Sequence, residues 1–274
     1  PVSFHPQSAS AQNIMGCGTS CCSTADAALE LEPLGSASGL QRHALLVGLD
    51  YEGNPQKWPS LTGTKNDMRS LADVLTLGGF PKEKNVRLCI EAKEMTKAKF
   101  LQELDDLTAK ASPEAFIFFG FSGHGKGNLP DFNHDDEADG RDEALCLFDG
   151  WLLDDLLTPK FQAIADRGAT VCFYFDCCYA GGMFDGTPSR KASYFFGGKQ
   201  TEKTVDSIMV VENEGKTEYR YHGQFTQWFL KAVTEAGVRL SNRQLFEKIS
   251  AQRRTERQQQ PVFKSGRPDE PFLL

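Results

Sequence analysis

The sequence predicts an α/β fold: a mostly parallel central sheet with helices on both faces. Short apolar runs alternate with stretches of helical apolar spacing along most of the chain, as strands and crossover helices do. Two of these runs, at residues 116–121 and 171–175, are apolar almost throughout, which is typical of strands buried on both faces. A chain of 274 residues, 40% of them hydrophobic, is long enough for one such domain.

Each element follows from its own pattern of apolar residues. Strands are predicted at residues 44–49, 86–90, 115–121, 169–175 and 207–211, with a closing edge strand at 261–263. Helices are predicted where apolar residues recur every three or four positions. One of these helices ends at Gly78-Gly79, and another begins at Thr96. The others are predicted at residues 154–166, at residues 225–233, and from Ser241 toward Arg257.

The chain divides into an arm and one domain. Residues 1–40 are rich in Ser, Ala, Gly and Gln and lack periodicity, so we expect a flexible arm. Residues 41–274 are expected to form a single domain, with a larger first part (41–185), a linker loop (186–206) and a smaller last part (207–274). We expect the basic stretch 181–204 to be an exposed loop because it shows no periodicity.

Charge and composition exclude some classes of function. The net charge is −7, which does not indicate a nucleic-acid partner. No apolar run approaches the roughly 20 residues of a membrane span. Cys89, Cys146 and Cys172 lie inside apolar runs and are expected to be buried thiols in a reducing compartment, so we expect a cytoplasmic protein.

The arm contains a candidate acylation motif. If Met15 were the initiator, Gly16 and Ser20 would fit the myristoylation pattern, and Cys17, Cys21 and Cys22 would be palmitoylation candidates. The alternative is a Gly- and Cys-rich tail that carries no lipid. The motif therefore predicts peripheral membrane attachment as an alternative to a free cytoplasmic protein.

A histidine and a cysteine follow the two most apolar strands. His124 comes just after the run 116–121, and Cys178 comes just after the run 169–175. Because the carboxyl ends of parallel strands meet at one edge of the sheet, His124 can act as the base for a cysteine thiol, whose thiolate is a nucleophile. Side chains alternate along a strand, so only one of Cys177 and Cys178 can face His124.

The backbone N–H groups beside these residues could stabilise an oxyanion. Those of Gly125 and Cys178 are the candidate donors for an acyl-transfer intermediate. Each residue alone has a structural alternative, a packed thiol or a turn histidine. Their occurrence together, at corresponding strand ends and with glycines beside them, favours a catalytic pair.

The chain resembles the metacaspases, a caspase-like family of cysteine peptidases. The motifs that carry the resemblance occur in the family's order, at residues 61–67, 122–125, 139–145, 176–181 and 221–226. The match of residues 176–181 to the family's Asp-x-Cys-His-Ser-Gly motif makes Cys178 the nucleophile, with His124 as its base. Two positions depart from the pattern, because Tyr179-Ala180 replace His-Ser and Thr64 replaces Cys.

The resemblance implies a monomeric endopeptidase that cleaves proteins or peptides after Arg or Lys. The family's substrate-pocket positions match Asp67, Ser122 and Asp176, and carboxylates there would pair with a cationic side chain. The structural alternative is that Asp67 caps or pairs locally on its helix and that Asp176 orients the turn.

The resemblance also implies calcium as an activating cofactor. The family's four ligands match Asp139, Asp154, Asp155 and Asp185, and calcium takes six to eight oxygen ligands. Ligands on separate loops predict a low affinity. The alternative for Asp154 and Asp155 is the first turn of a helix, where acidic side chains suit the helix dipole.

A peptidase of this specificity could also cleave its own basic loop. The candidate positions are Arg190, Lys191, Lys199 and Lys203. Two other functions remain open: a catalytically weak caspase-like scaffold tethered to membranes, and a legumain-like hydrolase with a preference for Asn. Asp67 and Asp176 disfavour the second.

Overall fold

The computed structural model describes residues 39–131, 141–184, 186–213, 216–255 and 258–273. Its strands are β1 Gln41–Gly48, β2 Val86–Cys89, β3 Ala115–Ser122, β4 Gly125–Pro130, β5 Arg141–Leu147, β6 Gly150–Leu153, β7 Thr170–Asp176, β8 Ala192–Phe196, β9 Asp206–Asn213, β10 Lys216–Gly223 and β11 Val262–Ser265. Its α-helices are α1 Thr64–Leu77, α2 Lys82–Asn85, α3 Lys97–Ala109, α4 Asp154–Asp166, α5 Gln224–Ala236 and α6 Asn242–Ala251.

The central sheet has six strands in the order β11-β8-β7-β3-β1-β2. All neighbouring strands are parallel except β11, which runs antiparallel to β8 at one edge. Helices α3 and α4 cover one face of the sheet, and α1, α5 and α6 cover the other. The predicted fold class is therefore confirmed.

Strand β3 shows why the apolar runs become inner strands. All eight of its residues are buried. Phe116 and Phe118 pack into the core on one face of the sheet, whereas Phe119 and Phe121 pack into the core on the other. A strand in the middle of a sheet with two covered faces must be apolar at every position, and this is the pattern that the sequence shows.

The predicted helix boundaries agree with the structure where a local capping signal marks them. The Thr96 side chain accepts a hydrogen bond from the Lys99 amide at the start of α3. Ser241 and Gln244 form the expected capping box at the start of α6. The same helix ends at Ala251, earlier than predicted, and Arg257 lies outside the described residues.

The prediction of an exposed loop at residues 181–204, and of a linker loop at 186–206, is wrong in its middle part. Strand β8 lies there, and all five of its residues are buried. Its apolar run is too short for periodicity to reveal it, and its stability comes from distant partners. The ring of Tyr194 stacks on that of Phe173, and Phe195 contacts Phe263 and Phe272.

Two further parts of the fold differ from the prediction. The strand predicted at residues 207–211 is β9, which pairs with β10 in a separate two-stranded sheet and does not join the central sheet. Strands β4, β5 and β6 form a three-stranded antiparallel sheet that was not predicted. Its first strand contains two glycines and a register shift, which hide the alternation of a regular strand.

The predicted acylation residues, Gly16 and Cys17, lie outside the described residues. Across the ranges that are described, none of the helices has the length and apolar character needed to cross a membrane.

We predict that Phe119→Ala lowers the free energy of unfolding by about 3–5 kcal/mol. Phe119 is fully buried, and its ring contacts those of Phe100, Phe161 and Phe175. Urea denaturation measures the loss. Leu156→Ala, at a side chain that is 53% exposed, is the matched control and should change stability by less than about 0.5 kcal/mol. Equal effects of the two substitutions would contradict the packing described here.

Candidate active site

The pairing of β3 with β7 brings the predicted histidine and cysteine to one edge of the sheet. Residues 116–122 of β3 each pair with the residue 54 positions later, from Phe116 with Thr170 to Ser122 with Asp176. His124 and Cys178 continue this register two residues beyond the last pair. The separation of His124 and Cys178 along the sequence is therefore the same as the offset between paired residues of β3 and β7.

Glycines allow the two turns to touch. A Cβ atom at Gly125 would overlap the carbonyl oxygen of Cys178, and one at Gly127 would overlap the ring of Tyr179. The N–H of Gly123 donates a hydrogen bond to the carbonyl of Asp176 (3.3 Å). The chain after His124 thus packs directly on the chain after Cys177, and the two candidate oxyanion donors, on Gly125 and Cys178, lie on adjoining segments.

Tyr51 and Pro59 hold His124 in place, and neither was among the predicted site residues. Its backbone N–H donates to the hydroxyl of Tyr51 (2.7 Å), which donates to the carbonyl of Cys146 (2.7 Å). The His124 ring lies 4.6 Å from the Tyr51 ring, between centroids. Its Nε2 lies 2.8 Å from the carbonyl oxygen of Pro59. Because a carbonyl only accepts, Nε2 carries the proton and Nδ1 is left as the nitrogen that can act as a base.

Tyr51 could have been found by the argument that found His124. It follows the carboxyl end of β1, which is the strand next to β3, so it belongs to the same edge of the sheet. Complete burial raises the pKa of its hydroxyl well above the usual range, so the group stays neutral and can both donate and accept. Pro59 contributes only a backbone carbonyl, for which a sequence carries no signal.

The two candidate nucleophiles, Cys177 and Cys178, differ in how deeply they are buried. Cys177 is fully buried in the core, and this burial raises the pKa of its thiol well above the usual range. Cys178 is only partly buried, and its sulfur accepts a hydrogen bond from the N–H of Thr204 (3.3 Å). Exposure therefore favours Cys178 as the reactive thiol. No hydrogen bond joins Cys178 to His124 in the described part of the chain; catalytic hydrogen bonds often tighten only when substrate binds.

The three residues predicted to bind the substrate's cation lie together, but they are buried. Asp67 accepts hydrogen bonds from the Ser122 hydroxyl (2.6 Å) and from the N–H of Gly223 (3.1 Å). Its other partner is Nδ1 of His222, at 2.8 Å. Burial raises the pKa of the Asp67 carboxyl, and the hydrogen bonds from His222 and Ser122 oppose that rise. His222 was not predicted, although it lies in the motif at residues 221–226.

Asp176 binds the first turn of helix α5. Its Oδ2 accepts hydrogen bonds from the N–H (2.9 Å) and the hydroxyl (2.8 Å) of Thr226. A Cβ atom at Gly223 would overlap the same carboxylate. Asp67 and Asp176 therefore both meet the amino end of α5, whose N–H groups have no partners within the helix. Both acids thus have a structural role, but it differs from the alternative stated above: the partners of the Asp67 carboxylate are distant residues and not residues of its own helix α1, and Asp176 holds α5.

Two of the four predicted calcium ligands are described. Asp154 and Asp155 lie in the first turn of α4, where Asp154 Oδ1 accepts a hydrogen bond from the N–H of Asp155 (3.2 Å). Asp139 and Asp185 lie outside the described residues. Within the ranges given above, no three His, Cys, Asp or Glu side chains converge on a point that could hold a metal ion. Adjacent carboxylates at a helix terminus fit the oxygen preference of calcium and also fit the dipole alternative.

The basic residues that follow Cys178 differ in how close they lie to it. The Lys191 carbonyl pairs with Val171 at the amino end of β7, away from the edge that carries Cys178. Lys203 immediately precedes Thr204, whose N–H contacts the Cys178 sulfur. Lys203 is therefore next to a residue that contacts the Cys178 sulfur.

Comparisons with known proteins point to one family. The family model described as "Metacaspase, peptidase C14 domain" matches residues 42–187. Metacaspase-1 of Candida albicans is 29% identical over 156 residues, which cover 53% of this chain and 34% of the relative. Metacaspase-1 of Lodderomyces elongisporus is 30% identical over 161 residues, which cover 55% of this chain and 35% of the relative. The match thus spans about a third of the length of these curated relatives.

A solved structure supports the fold. The crystal structure of caspase-1 from Spodoptera frugiperda superposes with a TM-score of 0.58 at 15% identity, and the match covers 83% of this chain and 87% of that one. At this identity the likeness concerns the arrangement of strands and helices alone.

We predict that Tyr51→Phe lowers the free energy of unfolding by about 1–3 kcal/mol, because it leaves the His124 amide and the Cys146 carbonyl without their shared partner. Urea denaturation measures the loss. Tyr219→Phe removes a hydroxyl from a side chain that is 68% exposed and should leave stability nearly unchanged. A Tyr51→Phe variant as stable as this control would show that the hydroxyl does not hold the histidine turn.

Proposed function

The chain belongs to the metacaspase family, peptidase C14, and from this premise we propose that it is a cysteine endopeptidase that cleaves peptide bonds after Arg or Lys. The observation that carries the proposal is the register of β3 with β7, which puts the turn of His124 against the turn of Cys178. The partly exposed thiol of Cys178, beside the buried thiol of Cys177, supports Cys178 as the nucleophile.

The proposed reaction uses Cys178 and His124 in the order that cysteine peptidases require. His124 takes the thiol proton at Nδ1, and the thiolate attacks the carbonyl carbon of the scissile peptide bond. The oxyanion that forms accepts hydrogen bonds from the N–H groups of Gly125 and Cys178. When the C–N bond breaks, His124 gives the proton to the leaving amine. Water then hydrolyses the thioester, which releases the acid and restores the thiol.

The proposed preference for Arg or Lys rests on two carboxylates. Asp67 and Asp176 lie close together at the amino end of α5, beside Ser122. Their negative charge favours a cationic side chain even where backbone N–H groups already bind them, because electrostatic attraction acts over a longer range than a hydrogen bond does. We further propose that the substrates are proteins or peptides and that the enzyme acts as a monomer in the cytoplasm.

We also propose that calcium activates the enzyme. Asp154 and Asp155 would hold the ion together with Asp139 and Asp185, and the bound ion would supply positive charge that draws these separate segments together. Self-processing is a further part of the proposal, with the bonds after Arg190, Lys191, Lys199 and Lys203 as its candidates. In the described residues, no feature favours the alternative of a membrane-tethered scaffold of low activity.

Hydrolysis of short fluorogenic peptides that end in Arg, Lys, Asn or Asp tests the proposed activity. We expect cleavage of the Arg and Lys peptides in the presence of calcium, and a loss of at least about 10³-fold with Cys178→Ala or His124→Ala, because each removes a reacting group. Cys89→Ala, at a buried thiol on the edge strand β2, is the matched control and should retain the activity. No Arg or Lys cleavage, or full activity of Cys178→Ala, would contradict the proposal.

Calcium binding is tested apart from activity. We expect millimolar calcium to raise the melting temperature of the wild-type protein, because a ligand that binds only the folded state stabilises it. Asp154→Asn with Asp155→Asn should abolish most of this shift. Asp73→Asn removes one exposed carboxylate on α1 and should leave the shift intact. An equal shift in all three proteins would rule out Asp154 and Asp155 as ligands.

A further inference from the structure

The segment Gly197–Val205, here called the Thr204 loop, lies on the sulfur of the nucleophile. It follows β8 and precedes β9. The N–H of Thr204 donates a hydrogen bond to Cys178 Sγ at 3.3 Å, and the Thr204 hydroxyl and carbonyl oxygens lie at 3.8 Å and 3.9 Å from the same sulfur. The short contact from the N–H is the one that can stabilise negative charge on sulfur, because an amide N–H donates and a thiolate accepts.

One side chain from a distant part of the chain fastens both ends of this loop. Gln259 lies between α6 and β11 and is buried. Its Nε2 donates to the carbonyl of Gly197 (2.8 Å), and its Oε1 accepts from the N–H of Val205 (3.1 Å). The amide of one glutamine thus closes the loop at its first and last residues, and the residue next to Val205 is the one that contacts the sulfur.

A second set of contacts fixes the middle of the loop. The carboxylate of Glu202 accepts hydrogen bonds from the N–H of Gln260 (2.8 Å) and of Lys199 (3.3 Å). The carbonyl of Glu202 accepts from the N–H of Tyr179 (2.8 Å), the residue after the nucleophile. Tyr179 has a left-handed backbone (φ 57°), which a non-glycine residue adopts only when its surroundings hold it there. The loop and the nucleophile turn therefore fix each other.

We propose that Gln259 is a positioning residue for the nucleophile: by clamping the Thr204 loop, it holds the Thr204 N–H against the Cys178 sulfur and so favours the thiolate. The proposal deepens the proposed peptidase function, because it names how the resting sulfur is oriented before His124 and substrate engage it. Gln259 touches neither the sulfur nor any group that reacts, so its effect passes through the loop.

The test measures the rate at which iodoacetamide alkylates Cys178 over pH 5 to 10. Mass spectrometry quantifies the peptide that carries the modified cysteine. Gln259→Leu removes both hydrogen bonds at similar size, so the loop can move away from the sulfur. We expect alkylation at pH 7 to slow about tenfold and the pH midpoint of the reaction to rise by about one unit, the effect of losing one hydrogen bond to a charged group. Gln260→Ala is the matched control. It keeps the backbone N–H that binds Glu202 and should leave the profile unchanged.

A direct removal of the N–H keeps the proposal testable if Gln259→Leu does not fold. Replacement of Thr204 by its α-hydroxy acid turns that N–H into an ester oxygen and leaves the side chain in place. The control is the protein made by the same method with ordinary threonine incorporated at position 204. The ester should show the same upward shift of the alkylation profile. An unchanged profile in a folded Gln259→Leu protein, or in the ester, would overturn the proposal.

Alkylation also separates this proposal from the proposed function. If Gln259→Leu slows the alkylation of Cys178 while neither protein cleaves any Arg or Lys peptide, the positioning role stands and the peptidase function fails. If peptides are cleaved but the alkylation profiles coincide, the peptidase function stands and the role of Gln259 is overturned.

Discussion

The parallel pairing of β3 with β7 is the constraint on which the rest of the site depends. Both strands are buried on both faces, so their aromatic side chains must alternate between two cores. A slip of one residue would turn every side chain to the wrong face, so packing fixes the register firmly. The same register carries His124 and Cys178 to equivalent positions past the strand ends. The proposed catalytic geometry is thus a consequence of core packing, and the glycines at 125 and 127 let the two turns meet.

The acidic residues beside this pair connect the proposed substrate recognition with folding. Asp67 and Asp176 are buried, and burying a carboxylate is costly unless hydrogen bonds compensate for the lost water. The amino end of α5 supplies those bonds through Gly223 and Thr226, and His222 adds another. The two carboxylates therefore anchor α5 to the edge of the sheet that carries Cys178. Under the proposed specificity, a substitution of either acid that weakens the attraction for a cationic substrate would also loosen this helix.

The sequence predicted correctly the elements whose pattern lies within neighbouring residues, and it missed those that depend on contacts with distant residues. Strands β3 and β7 and the capping box at Ser241 carry their pattern within a few neighbouring residues, and their predictions were confirmed. Strand β8 is stabilised by ring contacts with residues far along the chain and was missed. Tyr51 and Gln259 act through hydrogen bonds to residues more than 50 positions away. The position of Tyr51 after the end of β1 was a signal that the prediction did not use, whereas no pattern in the sequence indicates the role of Gln259. Sequence reasoning thus found the residues proposed to react and missed those that hold them in place.

We infer that the strand register makes His124 the base of Cys178 and keeps Cys177 in the core. Site-resolved alkylation of the folded protein can distinguish the two thiols, in wild type and in His124→Ala proteins of equal urea stability. We expect Cys178 to be labelled and Cys177 to remain unlabelled. We also expect labelling at pH 6 to be lost with His124→Ala, because a neighbouring imidazolium favours the thiolate at low pH. Faster labelling of Cys177, or identical pH profiles with and without His124, would show that the register does not set up this pair.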